Sequence, residues 1–258
     1  MKHFTKILAL VLALCFCLSL AGCGSDAKTL DDVKKAGQIV IATSPDFPPF
    51  ETIEGGKVVG IEIEIMEKIA AKLGVTLKIE QVNFDSVLPG IQAGKYDVGV
   101  SGITIDEDRK KNADFTNPYF EAAQVIVVKN DSPIASKADL EGKKISVQTG
   151  TTAEKYCLTN GYQVSAFESN NDAFAAVTAG KVDAWVVDNE VAVAMIKDNK
   201  DVKKLDENMT TEPYGFAFPK GSTTLVDAFN TEINAMIADG TIKAIFDQYG
   251  AVYNAPQN

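Results

Sequence analysis

Two successive runs of short β-branched strands alternating with amphipathic helices fill this chain. That alternation restricts its fold more than any other feature. Gln38–Thr43 reads as a buried strand. Gly60–Leu73 carries a helical stripe at Ile61, Ile65, Ile69 and Leu73, stopped by Gly74. Val75–Val82 alternates as a strand, Ser86–Ala93 follows as a short helix, and Asp97–Ser101 as another strand. The second run has strands at Ala122–Val128, Lys144–Gln148, Gln163–Phe167 and Asp183–Val187, with a turn at Leu140–Lys143. Its helices are expected at Thr151–Thr159, at Asn171–Ala179 before the stop Gly180, and at Asn189–Lys197. A strand at Tyr214–Pro219 and helices at Leu225–Ala238 and Thr241–Tyr249 complete the chain. A β-α-β-α-β order signals a sheet covered on both faces, so two such series predict an α/β chain of two lobes. Open α/β sheets bind ligands beyond the carboxyl ends of their strands. Polar clusters lie at four such ends: Ser44, Ser101–Arg109, Gln148–Thr152 and Asp188.

The first segment stands apart from this pattern. Lys2 and Lys6 form a basic start, and the apolar run Ile7–Leu20 is too short for a comfortable membrane span. The run ends in Leu20-Ala21-Gly22-Cys23, which resembles a bacterial lipobox. Residues 1–22 are therefore expected to be a lipoprotein signal peptide, with Cys23 as the lipidated first residue. Residues 23–36 read as a tether, of which Gly24–Lys28 is the flexible part. The expected location is extracytoplasmic, with acyl chains as the membrane anchor. Without Lys2 and Lys6 the formal charge falls from −10 to −12, which suits no nucleic-acid partner. Cys15, Cys17 and the single histidine, His3, leave with the leader. Cys157 then has no thiol to pair with except the acylation candidate, and reads as a small buried apolar residue. With no histidine, Ser-His-Asp and Cys-His catalysis and His-ligated metals are excluded, so no metal or cofactor is expected.

Arg109 is the only arginine among 25 basic residues. A guanidinium offers a planar fork that grips a carboxylate or phosphate with two parallel bonds, which a lysine cannot do. It follows Ser101-Gly102-Ile103-Thr104-Ile105, so small and hydroxyl residues sit just upstream of the fork.

In order along the chain, the clusters resemble the polar amino-acid-binding proteins of bacterial ABC importers, the solute-binding family that includes glutamine- and histidine-binding proteins. The resemblance rests on Ala42-Thr43-Ser44-Pro45-Asp46-Phe47-Pro48-Pro49-Phe50-Glu51 and Val59-Gly60-Ile61-Glu62-Ile63-Glu64. It continues through Ser101–Ile105 with Arg109, Phe115-Thr116 with Tyr119, Gln148–Thr152, Asp188, and Tyr214-Gly215-Phe216-Ala217-Phe218-Pro219-Lys220-Gly221. It implies a type II periplasmic-binding-protein fold, two α/β lobes joined by a two-strand hinge. Lobe 1 would comprise 37–121 and 214–258, and lobe 2 would comprise 122–213. It further implies a monomer that closes on a free amino acid and delivers it to an ABC permease and its ATPase.

The resemblance also implies roles. Arg109 takes the α-carboxylate, with the backbone N–H groups of Thr104 and Thr152. Asp188 takes the ammonium, with the Thr104 hydroxyl and the Gly102 carbonyl. Phe47 and Phe84 flank the ligand side chain. Ser44, Ser101, Gln148 and Thr151 complete the binding set. Structural alternatives stand beside these: Asp188, Thr151 and Thr152 as helix caps, and Phe47 and Phe84 as core. Trp185 reads as core, and Glu62 and Glu64 as a solvated helix face.

Some relatives carry an acidic residue at the position of Ser44, and glutamine-binding ones a lysine at that of Gln148. Both are neutral in this chain, which points to an uncharged polar side chain on the ligand. Glu51 or Asp46 could still reach a cation, so basic amino acids are the alternative. A dehydratase-like enzyme on the same scaffold and a sensor domain acting on a receptor in trans are the rival functions.

Overall fold

Alternation becomes layered structure in a computed structural model that describes residues 27–256. The expected signal peptide and Cys23 lie outside the described residues. Helix α1 (Leu30–Ala36) comes first, then β1 (Gln38–Thr43) and a small antiparallel sheet of β2 (Asp46–Phe47), β3 (Glu51–Glu54) and β4 (Lys57–Val59). Next are α2 (Ile61–Leu73), β5 (Thr76–Gln81), α3 (Phe84–Gln92), β6 (Val98–Gly99), α4 (Glu107–Lys110) and β7 (Ala113–Phe115). After β8 (Phe120–Ala122) come β9 (Gln124–Lys129), β10 (Lys144–Gln148), α5 (Thr152–Thr159), β11 (Gln163–Phe167) and α6 (Asn170–Thr178). The chain then forms β12 (Ala184–Asp188), α7 (Asn189–Ile196), β13 (Val202–Lys204), β14 (Glu212–Tyr214) and β15 (Ala217–Pro219). It finishes with α8 (Thr223–Ala238) and α9 (Thr241–Gln248).

Two five-stranded sheets result, in the orders β5-β1-β6-β15-β7 and β11-β10-β12-β9-β13. Each has a parallel trio followed by a strand running back antiparallel. A separate antiparallel pair, β8 with β14, joins the lobes, with Glu212 opposite Ala122 and Tyr214 opposite Phe120. This is the two-lobed α/β architecture that the resemblance implies. Among the described residues no helix is long and apolar enough to cross a membrane.

The cores follow the periodicities. Ile61, Ile65 and Ile69 are fully buried on one face of α2, and Gly74 ends that helix in the left-handed region at φ 73°. Gly60 precedes it at φ 142°, where a Cβ would lie 2.1 Å from the Phe50 carbonyl oxygen, so only glycine fits. Trp185 is fully buried beside Phe174, as expected of core. Cys157 is likewise buried, and burial pushes its thiol up to about 12.

Three expectations need correction. Part of the expected tether, 23–36, is helical: α1 is closed by a Thr29–Asp32 capping box and docks through Val33, which is 2% exposed. The single strand expected over Tyr214–Pro219 is broken into β14 and β15, with Gly215 between them. The break is where the chain leaves its pairing with β8 and enters the sheet of β6 and β7, and a Cβ at Gly215 would approach the Ile105 side chain to 2.7 Å. Glu62, expected on a solvated face, is fully buried. Glu64 is half-buried and accepts hydrogen bonds from Gln248 and the Tyr249 hydroxyl.

Candidate functional site

The cleft between the lobes gathers the sequence-predicted residues at three places. At one edge, the Asp106 carboxylate accepts the Arg109 N–H at 2.7 Å and fixes the start of α4. The guanidinium then projects across the cleft. Its Nη1 donates to the Thr104 carbonyl at 2.9 Å, and its Nη2 to the Gly150 carbonyl of the other lobe at 3.3 Å. The Phe84 ring centroid lies 5.6 Å from the guanidinium carbon, so Phe84 supports the arginine directly. Burial lowers the Arg109 pKa, opposed by Asp106, Glu212 and Asp188, and the group stays charged.

Thr104 forms an antiparallel bridge with Tyr214 in which Ile105 N–H bonds Pro213 and Gly215 N–H bonds Ile103. That register turns Thr104's own peptide groups away from Tyr214, toward Arg109. Thr151 caps α5: its hydroxyl accepts from Glu154 N–H and donates to the Gln148 carbonyl at 2.7 Å. The first turn of α5, starting at Thr152, lines the same cavity as Arg109. A fork plus a helix N-terminus is a carboxylate-binding arrangement.

Asp188, the last residue of β12, occupies the N-cap position of α7 but makes no capping bond with its side chain. Its Oδ1 instead accepts from Gln124 Nε2 at 3.0 Å, and the same nitrogen lies 3.3 Å from Thr152 Oγ1. Burial, then the nearby Glu212 charge, raises Asp188 to about 8, against the lowering influence of its neighbours Tyr214 and Gln124. Gln124 Oε1, Glu212 Oε2 and the Tyr214 hydroxyl are buried, and no protein group satisfies them with hydrogen-bond geometry among the described residues. These three belong to or flank the strands that link the lobes. Sequence reasoning missed Gln124 and Glu212. The available signal was the i, i+2 spacing of Glu212 and Tyr214, which puts both on one face of β14. Buried acceptors around a carboxylate suit an ammonium.

The third place holds Ser44, Gln148 and the half-buried Asp46. Asp46 Oδ1 accepts from Ser44 Oγ at 2.8 Å. Its Oδ2 accepts from Gln148 Nε2 at 3.1 Å and from Asn170 N–H, at the start of α6, at 2.7 Å. Burial raises the Asp46 pKa, with those three donors opposing. Ser44 and Gln148, expected as neutral readers, thus share one carboxylate. Glu51, the other acid expected to reach a cation, is fully buried. Ser101, expected among the binding residues, is 2% exposed, and its hydroxyl donates to Glu51 at 3.0 Å. Phe47 is buried against Phe50 and Tyr214. Gly102 has φ 53°, and a Cβ there would come within 2.4 Å of the Phe47 ring.

Direct contacts close the cleft. Beyond Asp46 with Gln148 and Asn170, and Arg109 with Gly150, Lys155 pairs with Asp108 at 2.5 Å, and Asn83 Nδ2 donates to Glu168 at 3.1 Å. Among the described residues no group of three or more His, Cys, Asp or Glu could hold a metal ion.

The profile of the bacterial extracellular solute-binding proteins, family 3, matches residues 39–252. The arginine-binding extracellular protein ArtP of Bacillus subtilis is 30% identical over 247 residues, covering 93% of this chain and 96% of ArtP. The ABC transporter glutamine-binding protein GlnH of the same organism is 31% identical over 264 residues, covering 95% and 97%. The crystal structure of a mutant of ArgBP from T. maritima superposes with a TM-score of 0.82 at 36% identity. The match covers 86% of this chain and 98% of that one.

Proposed function

The chain belongs to the bacterial extracellular solute-binding proteins, family 3, as an extracytoplasmic amino-acid-binding protein of an ABC importer, and from that premise we propose how its cleft reads the ligand. Arg109 and the first turn of α5 take the α-carboxylate. Asp188, with Gln124, Glu212 and Tyr214 around it, takes the α-ammonium. Arg109 comes from one lobe and Asp188 from the other, so a bound zwitterion ties the lobes together and stabilises the closed form. The importer receives that closed form.

The ligand side chain is basic, with arginine as the best fit. The observation that carries this is Asp46, set between Ser44 and Gln148 where the side chain would lie. Asp46, Asp188 and Glu212 bring three carboxylates to the cleft against the single guanidinium of Arg109. An amino-acid zwitterion adds no net charge, whereas a cationic side chain supplies one that is missing.

Glutamine is the second reading. It is favoured because Asp46 already accepts from Ser44, Gln148 and Asn170 in the closed form, which leaves less for a cation. Calorimetric titration with arginine, lysine, histidine and glutamine decides between them. Tightest binding by arginine or lysine, at micromolar level or about −8 kcal/mol, supports the basic reading. Preference for glutamine would return Asp46 to a role in lobe contact alone.

The relatives matched are binding proteins, and the protein is read as a non-catalytic one. A turnover assay on cyclic carboxylates checks the dehydratase-like alternative. The lipid anchor is assigned to Cys23, and mass spectrometry of the mature protein tests it. Light scattering tests the monomeric state.

A further inference from the structure

Directly behind the cleft wall lies a group of buried acids that ligand contact does not explain. Glu51 opens β3, Glu62 lies in the first turn of α2, and Tyr119 precedes the linking strand β8; all three are fully buried. Both Glu62 oxygens accept: Oε2 from the Gly102 N–H at 2.9 Å, and Oε1 from the Tyr119 hydroxyl. Ser101 Oγ accepts the Ser44 N–H at 3.1 Å, so its one proton goes to Glu51 Oε1 at 3.0 Å. Glu51 Oε2 remains, buried and without a donor among the described residues. No lysine or arginine among the described residues forms an ion pair with either acid.

Two adjacent carboxylates without a cation cannot both ionise in a protein interior. The hydrogen bonds identify which one keeps its proton. Glu62 accepts at both oxygens and is the anion. Glu51 has one accepting oxygen and one bare oxygen, and as the hydrogen-bonded neighbour of Glu62 it gains a role as donor once it carries the proton. We infer that Glu51 and Glu62 hold one proton between them, resident on Glu51, and that the Glu62 anion is a positioning residue. It pins Gly102 of the ligand loop to Tyr119 beside the inter-lobe strand. The electrostatics agree: burial, then the Glu62 charge, raises the Glu51 pKa well above the usual value, with Asp46 adding to it. The charged or titratable groups facing the pair are Asp46, Tyr119 and, beyond Tyr119, Tyr214. None is a cation.

The arrangement has a chemical logic. Gly102 sits at φ 53°, held open by the Phe47 ring on one side and by the Glu62 carboxylate on its N–H. A neutral amide in place of Glu62 can accept from the Gly102 N–H but can only donate to the Tyr119 oxygen, so the Tyr119 hydroxyl proton loses its acceptor and both bonds lose their charge. A neutral amide in place of Glu51 keeps the arrangement, because Glu51 is already neutral: Gln accepts from Ser101 and donates to Glu62.

The test is therefore asymmetric, and its binding part rests on the amino-acid reading above. Infrared spectra of the intact protein at neutral pH should show a protonated carboxyl band that disappears in Glu51→Gln. Hydrogen exchange at the Gly102 amide should accelerate in Glu62→Gln and not in Glu51→Gln. Titration with L-arginine should find Glu51→Gln within about twofold of the parent. Glu62→Gln, losing a hydrogen bond to a charged acceptor, should fall by about tenfold or more. Tyr119→Phe removes a single hydroxyl and keeps the comparison available if Glu62→Gln unfolds; it should weaken binding and leave the infrared band in place. Equal losses in the two glutamate variants, or no protonated carboxyl band in the parent, would overturn the assignment. If the parent does not bind L-arginine, the ligand reading fails, and the infrared and exchange results still judge the proton pair.

Discussion

Replacing Arg109 by lysine isolates the guanidinium geometry from its charge. The side chain spans the cleft, donating to Thr104 at 2.9 Å and Gly150 at 3.3 Å, with Phe84 5.6 Å away. An ammonium keeps the positive charge but is a point donor without a planar face. It cannot offer two parallel bonds to a carboxylate. The loss is one hydrogen bond between charged groups, about 1.5–3 kcal/mol, plus about 0.5–1 kcal/mol for the contact with Phe84. Together these give about 2–4 kcal/mol, or roughly 30- to 900-fold in Kd. Arg109→Ala also removes the charge and should cost about 2–5 kcal/mol. The fold should survive both changes, because the Asp106 cap of α4 uses the Arg109 backbone N–H and not its side chain. Isothermal titration calorimetry of parent and variants reads the affinity, and thermal unfolding without ligand verifies the fold. If Arg109→Lys binds within about threefold of the parent while remaining folded, charge alone explains the site and the bidentate argument is wrong.

Asp46→Asn should lower arginine affinity by at least about tenfold, or 1.4 kcal/mol, and change glutamine affinity less; paired titrations measure the difference. Asp188, raised to about 8 by burial and the Glu212 charge, carries its proton below that pH, whereas an ammonium partner needs the carboxylate. Binding below about pH 8 must then expel the proton. Affinity should weaken as pH falls from 8, by up to about tenfold per unit, and calorimetry in buffers of different ionisation heat should detect the released proton. Lys155 pairs across the cleft with the exposed Asp108 and the half-buried Asp106. Lys155→Ala should reduce affinity by no more than about threefold at low salt, and the effect should vanish at high salt, as a salt series would show.

Local pattern carried much of this architecture. The strand at Gln38–Thr43 and those at Lys144–Gln148 and Gln163–Phe167 are where alternation and β-branching put them. Arg109 stood out because the chain uses lysine everywhere else, and Asp188 because it ends a strand. What periodicity missed depends on partners far away in sequence. Glu62 reads as a polar position on an amphipathic helix; its burial follows from Gly102 and Tyr119, which lie 40 and 57 residues later. Gln124 and Glu212 converge on Asp188 only once β9 and β14 have been placed by their sheets. Asp46 looked like one acid in a loop beside neutral Ser44 and Gln148, and only lobe contact joins Asp46 to Gln148, 102 residues away. The helix at Leu30–Ala36 was a different failure. Its Thr29-x-x-Asp32 box and its Gly37 stop are both in the sequence, but one short turn of apolar pattern around Val33 gives little periodicity to set it apart from the flexible residues before it.

Strand β15 lies between β6 and β7 in its sheet, so that sheet is incomplete until residue 219 has been supplied. The other sheet takes all its strands from Gln124–Lys204. A chain emerging from its N-terminus can therefore assemble the second lobe while the first still has a vacant slot. Contacts of short sequence separation form quickly, whereas joining distant strands is slow. The later-sequence lobe should acquire amide protection first during refolding, and the sheet carrying the N-terminal strand β1 should be the last to close.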